Sequence, residues 1–158
     1  MFPALHPQTV HFPIAFLVLA GIFYVIPFFL KDPWFRRGGM VLHIAGLAGL
    51  LMAIITGTLA GAEIVHTARI DALYRDHELL GYAALWLFAM LLVWRYLREK
   101  QAKTGENALF VLVFWVMIGL MAYSAHLGGK MVYEEGAGVA PMEEILNQQL
   151  HHESRSHP

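Results

Sequence analysis

Nine histidines and no cysteine are distributed over 158 residues. Without a thiolate the chain cannot build a disulfide framework, an iron–sulfur cluster, a covalently attached c-type haem or a thiolate metal site. Any cofactor is therefore held by His, Met, Asp, Glu or Tyr. His6, His11, His43, His66, His77 and His126 lie within or beside long apolar runs, where ionisable side chains are costly and usually mark function. A neutral imidazole offers one nitrogen lone pair to a metal, and two imidazoles on opposite faces of a porphyrin occupy both axial positions of a haem iron. No nucleophile–base arrangement, Gly-rich phosphate cradle or His-Glu-x-x-His pattern is present, so hydrolytic and phosphoryl-transfer chemistry do not fit.

The elements that must position these histidines are apolar helices. The chain is 58% hydrophobic and 15% charged, and its mean hydropathy is +0.53, far from a soluble average. Four stretches, residues 11–30, 39–61, 79–97 and 108–127, are each long enough to cross a hydrocarbon core of about 30 Å as a helix. The expected fold is an all-α, four-helix transmembrane bundle running up-down-up-down, a single domain with a polar C-terminal tail over 128–158. In that tail a Gly-Gly turn at Gly128-Gly129 ends the fourth helix, and Met142 to His152 forms one small helix. The loop from Glu63 to Glu78, with Asp71, Arg75 and Asp76, is too polar to sit in lipid. Neither the net charge of −1 nor any basic run points to nucleic acid.

Seven of the eleven cations fall in the first and third connections. By the positive-inside rule those connections face the cytoplasm. The expected location is the bacterial inner membrane, with both termini, the Glu63 to Glu78 loop and nine of the twelve acids on the periplasmic side. Trp34, Trp86, Trp94, Tyr24 and Tyr96 are expected at the interfacial belts.

Small residues share a face with a histidine on every helix: His11, Ala15 and Val18; His43, Gly46, Gly49, Ala53, Gly57 and Ala60; His77, Gly81, Ala84 and Phe88; Trp115, Gly119, Ala122 and His126. Such stripes serve close helix packing, and they equally leave room beside an imidazole for a flat cofactor. The topology gathers His6, His11, His66, His77 and His126 near the periplasmic surface. His43 lies alone nearer the cytoplasm, suited to a quinone contact or a core hydrogen bond. In an up-down bundle the first and third helices are diagonal, so His11 and His77 are the expected axial ligands of one haem b, with His126 as the alternative and His6 close by. Asp76 or Glu78 would orient the His77 ring, and Met131 lies on the correct side to replace a histidine. His151, His152 and His157 form a tail cluster best read as solvated.

The opening His6-Pro7-x-x-Val10-His11-Phe12-Pro13-Ile14 and the closing Leu127-Gly128-Gly129-Lys130-Met131-Val132-Tyr133-Glu134-Glu135-Gly136-Ala137-Gly138-Val139 resemble the signatures of domain-of-unknown-function family 2231, bacterial four-helix membrane proteins. The resemblance spans nearly the whole chain and implies redox-associated company. It marks His6, His11 and His77 as family positions but not His126, because the family often carries another residue before Leu-Gly-Gly. It also implies that the glycine-rich closing segment is a structured lid over the outer face, with Gly136 and Gly138 free to adopt positive φ.

The expected function is a membrane-embedded, haem b-binding, cytochrome b-like electron-transfer protein with a quinone or cytochrome c-like redox partner; homo-oligomerisation is left open. The rivals are a non-redox metal-binding membrane protein using Glu63, His66, Asp71 and His77, and a structural subunit without a cofactor.

Overall fold

The computed structural model describes the backbone of residues 2–98 and 101–156 and the side chains of residues 5–98 and 101–149. The described residues form six α-helices and no strand: α1 (Phe2–Thr9), α2 (His11–Val25), α3 (Pro33–Gly61), α4 (Ala68–Arg98), α5 (Thr104–Tyr133) and α6 (Ala140–Ser156). Four membrane-length apolar helical segments result, Leu5–Phe28, Pro33–Gly61, Ala68–Arg98 and Thr104–Tyr133. The first combines α1, α2 and a 3-10 turn at Ile26–Phe28. The break at Val10 has a local cause. Pro13 carries no N–H for the Thr9 carbonyl, and its ring crowds that carbonyl.

Asp32 ends the first connection by accepting a hydrogen bond from the Trp34 N–H at 2.8 Å, and Pro33 opens α3 where its missing N–H costs nothing. α3 packs against α2 on one side and α4 on the other, while α5 packs against α4 and, more sparsely, α2. Thus α2 and α4 are diagonal, as the up-down topology requires. Close approach of α2 and α3 depends on glycine. A Cβ at Gly46 would stand 2.6 Å from Leu17 Cγ, and one at Gly49 would stand 3.0 Å from the Pro13 ring. The space beside His43 is therefore filled by α2. A contiguous core of Leu17, Tyr24, Leu50, Phe88, Leu91, Phe110, Phe114 and Met117 fills this part of the bundle.

Three boundaries differ from the sequence-based expectation. α4 begins at Ala68, so most of the polar Glu63 to Glu78 loop is helix. Its Asp71, Arg75 and Asp76 face water while Ile70 is fully buried against Met131 and Ala137. α5 continues through Gly128 and Gly129 to Tyr133, and Gly128 permits approach to His77 of α4 in place of forming a turn. The chain reverses later, at Gly136 (φ 72°) and Gly138 (φ 73°). The short tail helix is longer than expected, Ala140–Ser156. Its Glu143 carboxylate accepts from the Val65 N–H at 3.0 Å and the Gly138 N–H at 2.9 Å, which folds the closing segment onto the inter-helix loop.

Candidate functional site

Two of the four small-residue stripes face inward. On α3 and α4 they do; on α5, Gly119, Ala122 and His126 are exposed, and the inward face carries Phe114, Met117, Met121, Ser124 and Leu127. On α2, His11 and Ala15 are exposed. The helices are apolar on every side, so composition gives no contrast between a packed face and a lipid face. His126 lies two residues from buried Ser124, about 200° around the helix, and points out of the bundle.

At the end of the bundle carrying the closing segment, α1, the start of α2, α3, α4 and α5 line a cavity of about 500 Å³. Its wall is mostly apolar, and its polar groups are His6, His11, His77 and Ser124 together with Thr58, Glu78 and the tyrosines Tyr74, Tyr82 and Tyr133. Gly81 faces open space, with nothing within 4 Å of where its Cβ would be. Met131 also lines the cavity.

His6 and His77 meet there, with ring centroids 6.1 Å apart and ring planes at 83°. Each imidazole is anchored through Nδ1. His77 Nδ1 lies 2.8 Å from the Ser124 carbonyl oxygen, which can only accept, so Nδ1 carries the proton and Nε2 keeps its lone pair. The Ser124 hydroxyl lies 3.1 Å from the same nitrogen. His6 Nδ1 lies 3.3 Å from Thr56 Oγ1. That hydroxyl has the Met52 and Ala53 carbonyls as acceptors at 3.0 and 3.1 Å, and with its proton on either of them its oxygen accepts from His6 Nδ1. Thr9 completes the group, 2.8 Å from Thr56 Oγ1. The His6 ring rests over Gly57, where a Cβ would come within 2.9 Å of Cε1.

The pair brought together is thus His6–His77 instead of His11–His77. His6 and His11 are five residues apart, about 140° on a helix, and lie on either side of the Val10 break, so His6 points into the cavity and His11 reaches only its edge. His11 is exposed at the cavity edge, its Nδ1 donating to the Pro7 carbonyl at 2.6 Å. Neither acid beside His77 orients it. Asp76 is exposed beside Arg75, and Glu78 accepts from the Tyr74 hydroxyl at 3.5 Å. The residues that do the anchoring, Ser124 and Thr56, were signalled only by being hydroxyls within apolar spans.

His43 is elsewhere, fully buried. Its Nε2 donates to the Phe88 carbonyl at 3.0 Å, and its Nδ1 accepts from the Tyr24 hydroxyl at 3.3 Å. Both nitrogens are engaged and Phe88 and Phe114 close around the ring, so His43 is a core hydrogen-bonding residue. Tyr24, expected at a membrane interface, is buried with it. His66 is also committed at both nitrogens, to Asp71 Oδ1 at 2.6 Å and the Gly61 carbonyl at 3.1 Å. Two acceptors require two N–H groups, and the Asp71 hydrogen bond, first among the causes, raises the His66 pKa above 6.5. Among the described residues no group of three His, Asp or Glu side chains is arranged to hold a metal ion. His151, His152 and His157 lie outside the described side chains.

Four membrane-length helices with a histidine-bearing cavity at one end define a multi-pass membrane protein. A family model described as predicted membrane protein (DUF2231) matches residues 3–141, and the chain belongs to that family. No curated protein matches the chain, and no solved structure matches it.

Proposed function

We propose that this protein binds one haem b in the 500 Å³ cavity, held by His6 and His77, and passes electrons within the membrane. The observation that carries the reading is the His6–His77 pair. Two imidazoles sharing one metal through Nε2, each at a bond length of about 2 Å, place their ring centres roughly 6 Å apart; the observed separation is 6.1 Å. Anchored Nδ1 atoms leave the Nε2 lone pairs available, and second-partner hydrogen bonds of this kind fix tautomer and ring orientation at metal sites. The cavity volume lies in the range of small-molecule and cofactor pockets, and its apolar wall suits a porphyrin.

When bound, the haem supplies reversible one-electron chemistry, and the surrounding residues set its potential through ligand basicity, burial and local charge. His11, at the cavity edge, is placed to contact the cofactor rim. The natural exchange partners are a membrane quinone and a cytochrome c-like protein docking on the acid-rich outer end of the bundle. The histidine end is expected to face the periplasm of a bacterial inner membrane, by the cation asymmetry of the connections.

The test is the visible spectrum of detergent-purified protein from a haem-replete host, as isolated and after dithionite, with haem and metals quantified per chain. The expected result is a sharp reduced α band and Soret band with one haem per chain, abolished in His6→Ala and His77→Ala and retained in His126→Ala. A colourless protein overturns the haem reading. Stoichiometric zinc or copper in that colourless protein would reassign the pair to metal binding, and neither haem nor metal would leave a structural subunit.

A further inference from the structure

A second cavity, of about 480 Å³, lies at the opposite end of the bundle, between the end of the first span, the start of α3 and the facing ends of α4 and α5. Its wall differs in kind from the histidine cavity. Three cations line it, Lys31, Arg36 and Arg95, against one carboxylate, Asp32. That carboxylate is already engaged as the cap of α3. The nearest carboxylate on α5, Glu106, is held by Arg98 through two hydrogen bonds of 2.7 and 2.9 Å and by the Trp94 indole at 3.1 Å, and also feels the charge of Arg95. Glu106 does not line the cavity. Among the described residues no ion pair engages Lys31 or Arg36.

Arg95 forms the floor. It is 95% buried (5% exposed), with its guanidinium 5.6 Å from the centroids of both the Tyr24 and Phe110 rings and Nη1 donating to Asn107 Oδ1 at 2.7 Å. A buried arginine at a membrane helix end fixes a positive charge below the polar surface, and two more cations stand above it. The remaining wall is Pro27, Phe28, Pro33 and Val111, apolar, with one hydroxyl from Thr104, and the neighbouring Phe29 is 81% exposed. A polar, cationic floor opening past apolar side chains matches an amphiphile with an anionic head.

We propose that this cavity binds the phosphate of an anionic phospholipid, its phosphodiester held by Arg36 and Lys31 above Arg95 and its acyl chains lying over Phe28 and Val111. The shared chemistry is a phosphate anion, which a lipid headgroup or free phosphate could supply. The lipid is favoured by the apolar rim and by the location at the cation-rich end, where the expected orientation meets the anionic cytoplasmic leaflet. The site is independent of the histidine cavity and of the function proposed for it.

The experiment is native mass spectrometry of the full chain in detergent, titrated with phosphatidylglycerol and, separately, with phosphatidylcholine. The probes are repeated on the Lys31→Gln/Arg36→Gln variant, which leaves buried Arg95 in place. Circular dichroism and the melting temperature establish that the variant folds. The expected result is one saturable phosphatidylglycerol adduct per chain, preferred over phosphatidylcholine and roughly thirty-fold weaker in the variant, the effect of removing two cations near the headgroup. Competition by millimolar inorganic phosphate separates the sources. Resistance to it supports the lipid, and displacement of the adduct by phosphate assigns the site to a free anion and overturns the lipid. Equal adducts of both lipids, or equal adducts in wild type and folded variant, would also overturn it.

Discussion

Gly128 on α5 faces the imidazole of His77 on α4, so closely that a Cβ at Gly128 would stand 3.2 Å from Cε1 and 3.5 Å from Nδ1. The glycine is the seat of the ring. Contacts of that length are tight for a methyl group and prohibitive for a branched side chain, because the His77 ring is also tied to Ser124. Gly128→Val is therefore expected to displace the ring and abolish haem absorbance while the four helices persist by circular dichroism. Gly119, on the exposed face of α5 with nothing within 4 Å, is the control, and Gly119→Ala should leave the spectrum unchanged. Full haem content in Gly128→Val would remove His77 from the proposed ligand pair.

The two anchors of the imidazoles differ in a way that mutation can read. His6 has the Thr56 hydroxyl at 3.3 Å and a contact with the Ala53 carbonyl, whereas His77 has a 2.8 Å bond to the Ser124 carbonyl as well as that residue's hydroxyl. Thr56→Ala removes the side-chain partner of His6 and leaves the Ala53 carbonyl contact, and is expected to weaken haem retention by roughly tenfold, with Thr56→Ser restoring it. Ser124→Ala should have a small effect, since the carbonyl remains. Haem transfer to apomyoglobin measures both, and equal losses in the two alanine variants would contradict the anchoring scheme.

The four spans, the up-down topology and the gathering of histidines at one end were legible in the sequence, because about 20 consecutive apolar residues can satisfy their backbone in lipid only as a helix. The inward faces were less legible. Lipid and protein interior are equally apolar, so the small-residue stripe on α5 pointed as convincingly outward as the stripe on α4 pointed inward. His6 over His11 was decided by the Pro13 break and by the seat that Gly57 provides, neither of which follows from apolar spacing. The polar helix ahead of residue 79 was hidden because its support comes from Met131 and Ala137, more than 50 residues later.

His43 supplies a prediction of the opposite kind, stability without colour. It is fully buried among Tyr24, Phe88 and Phe114 with both nitrogens bonded. His43→Ala leaves a cavity and removes the Tyr24–His43 hydrogen bond, and is expected to destabilise the bundle by about 3 kcal/mol. Tyr24→Phe loses the interhelical hydrogen bond to His43, worth about 0.6 kcal/mol in a membrane protein. Thermal unfolding in detergent should rank them in that order with haem content per folded chain unchanged. Loss of the Soret band from a folded His43→Ala protein would give His43 a role at the cofactor that its hydrogen bonds argue against.

Glu143 and His66 together make the closing segment sensitive to pH. The Glu143 carboxylate bonds the backbone of Val65 and Gly138, and beside it His66 bridges Asp71 and the Gly61 carbonyl. The folded state raises the His66 pKa above 6.5, first through the Asp71 hydrogen bond and also through the charge of Glu143. A folded state that holds this proton more tightly gains stability that is complete below the free imidazole pKa of about 6.5 and lost as pH rises through the folded value. Amide exchange over residues 62–71 and 137–149 should therefore quicken as pH rises through that window, after correction for intrinsic exchange. Asp71→Asn removes the main cause and should flatten the response. Glu143→Ala should speed exchange of both segments at every pH, because two backbone donors lose a charged acceptor worth about 2 kcal/mol. An NMR titration placing His66 at or below 6.5 would refute the coupling, and unchanged exchange in Glu143→Ala would show that the lid is held by Met131, Ala137 and Leu146 alone.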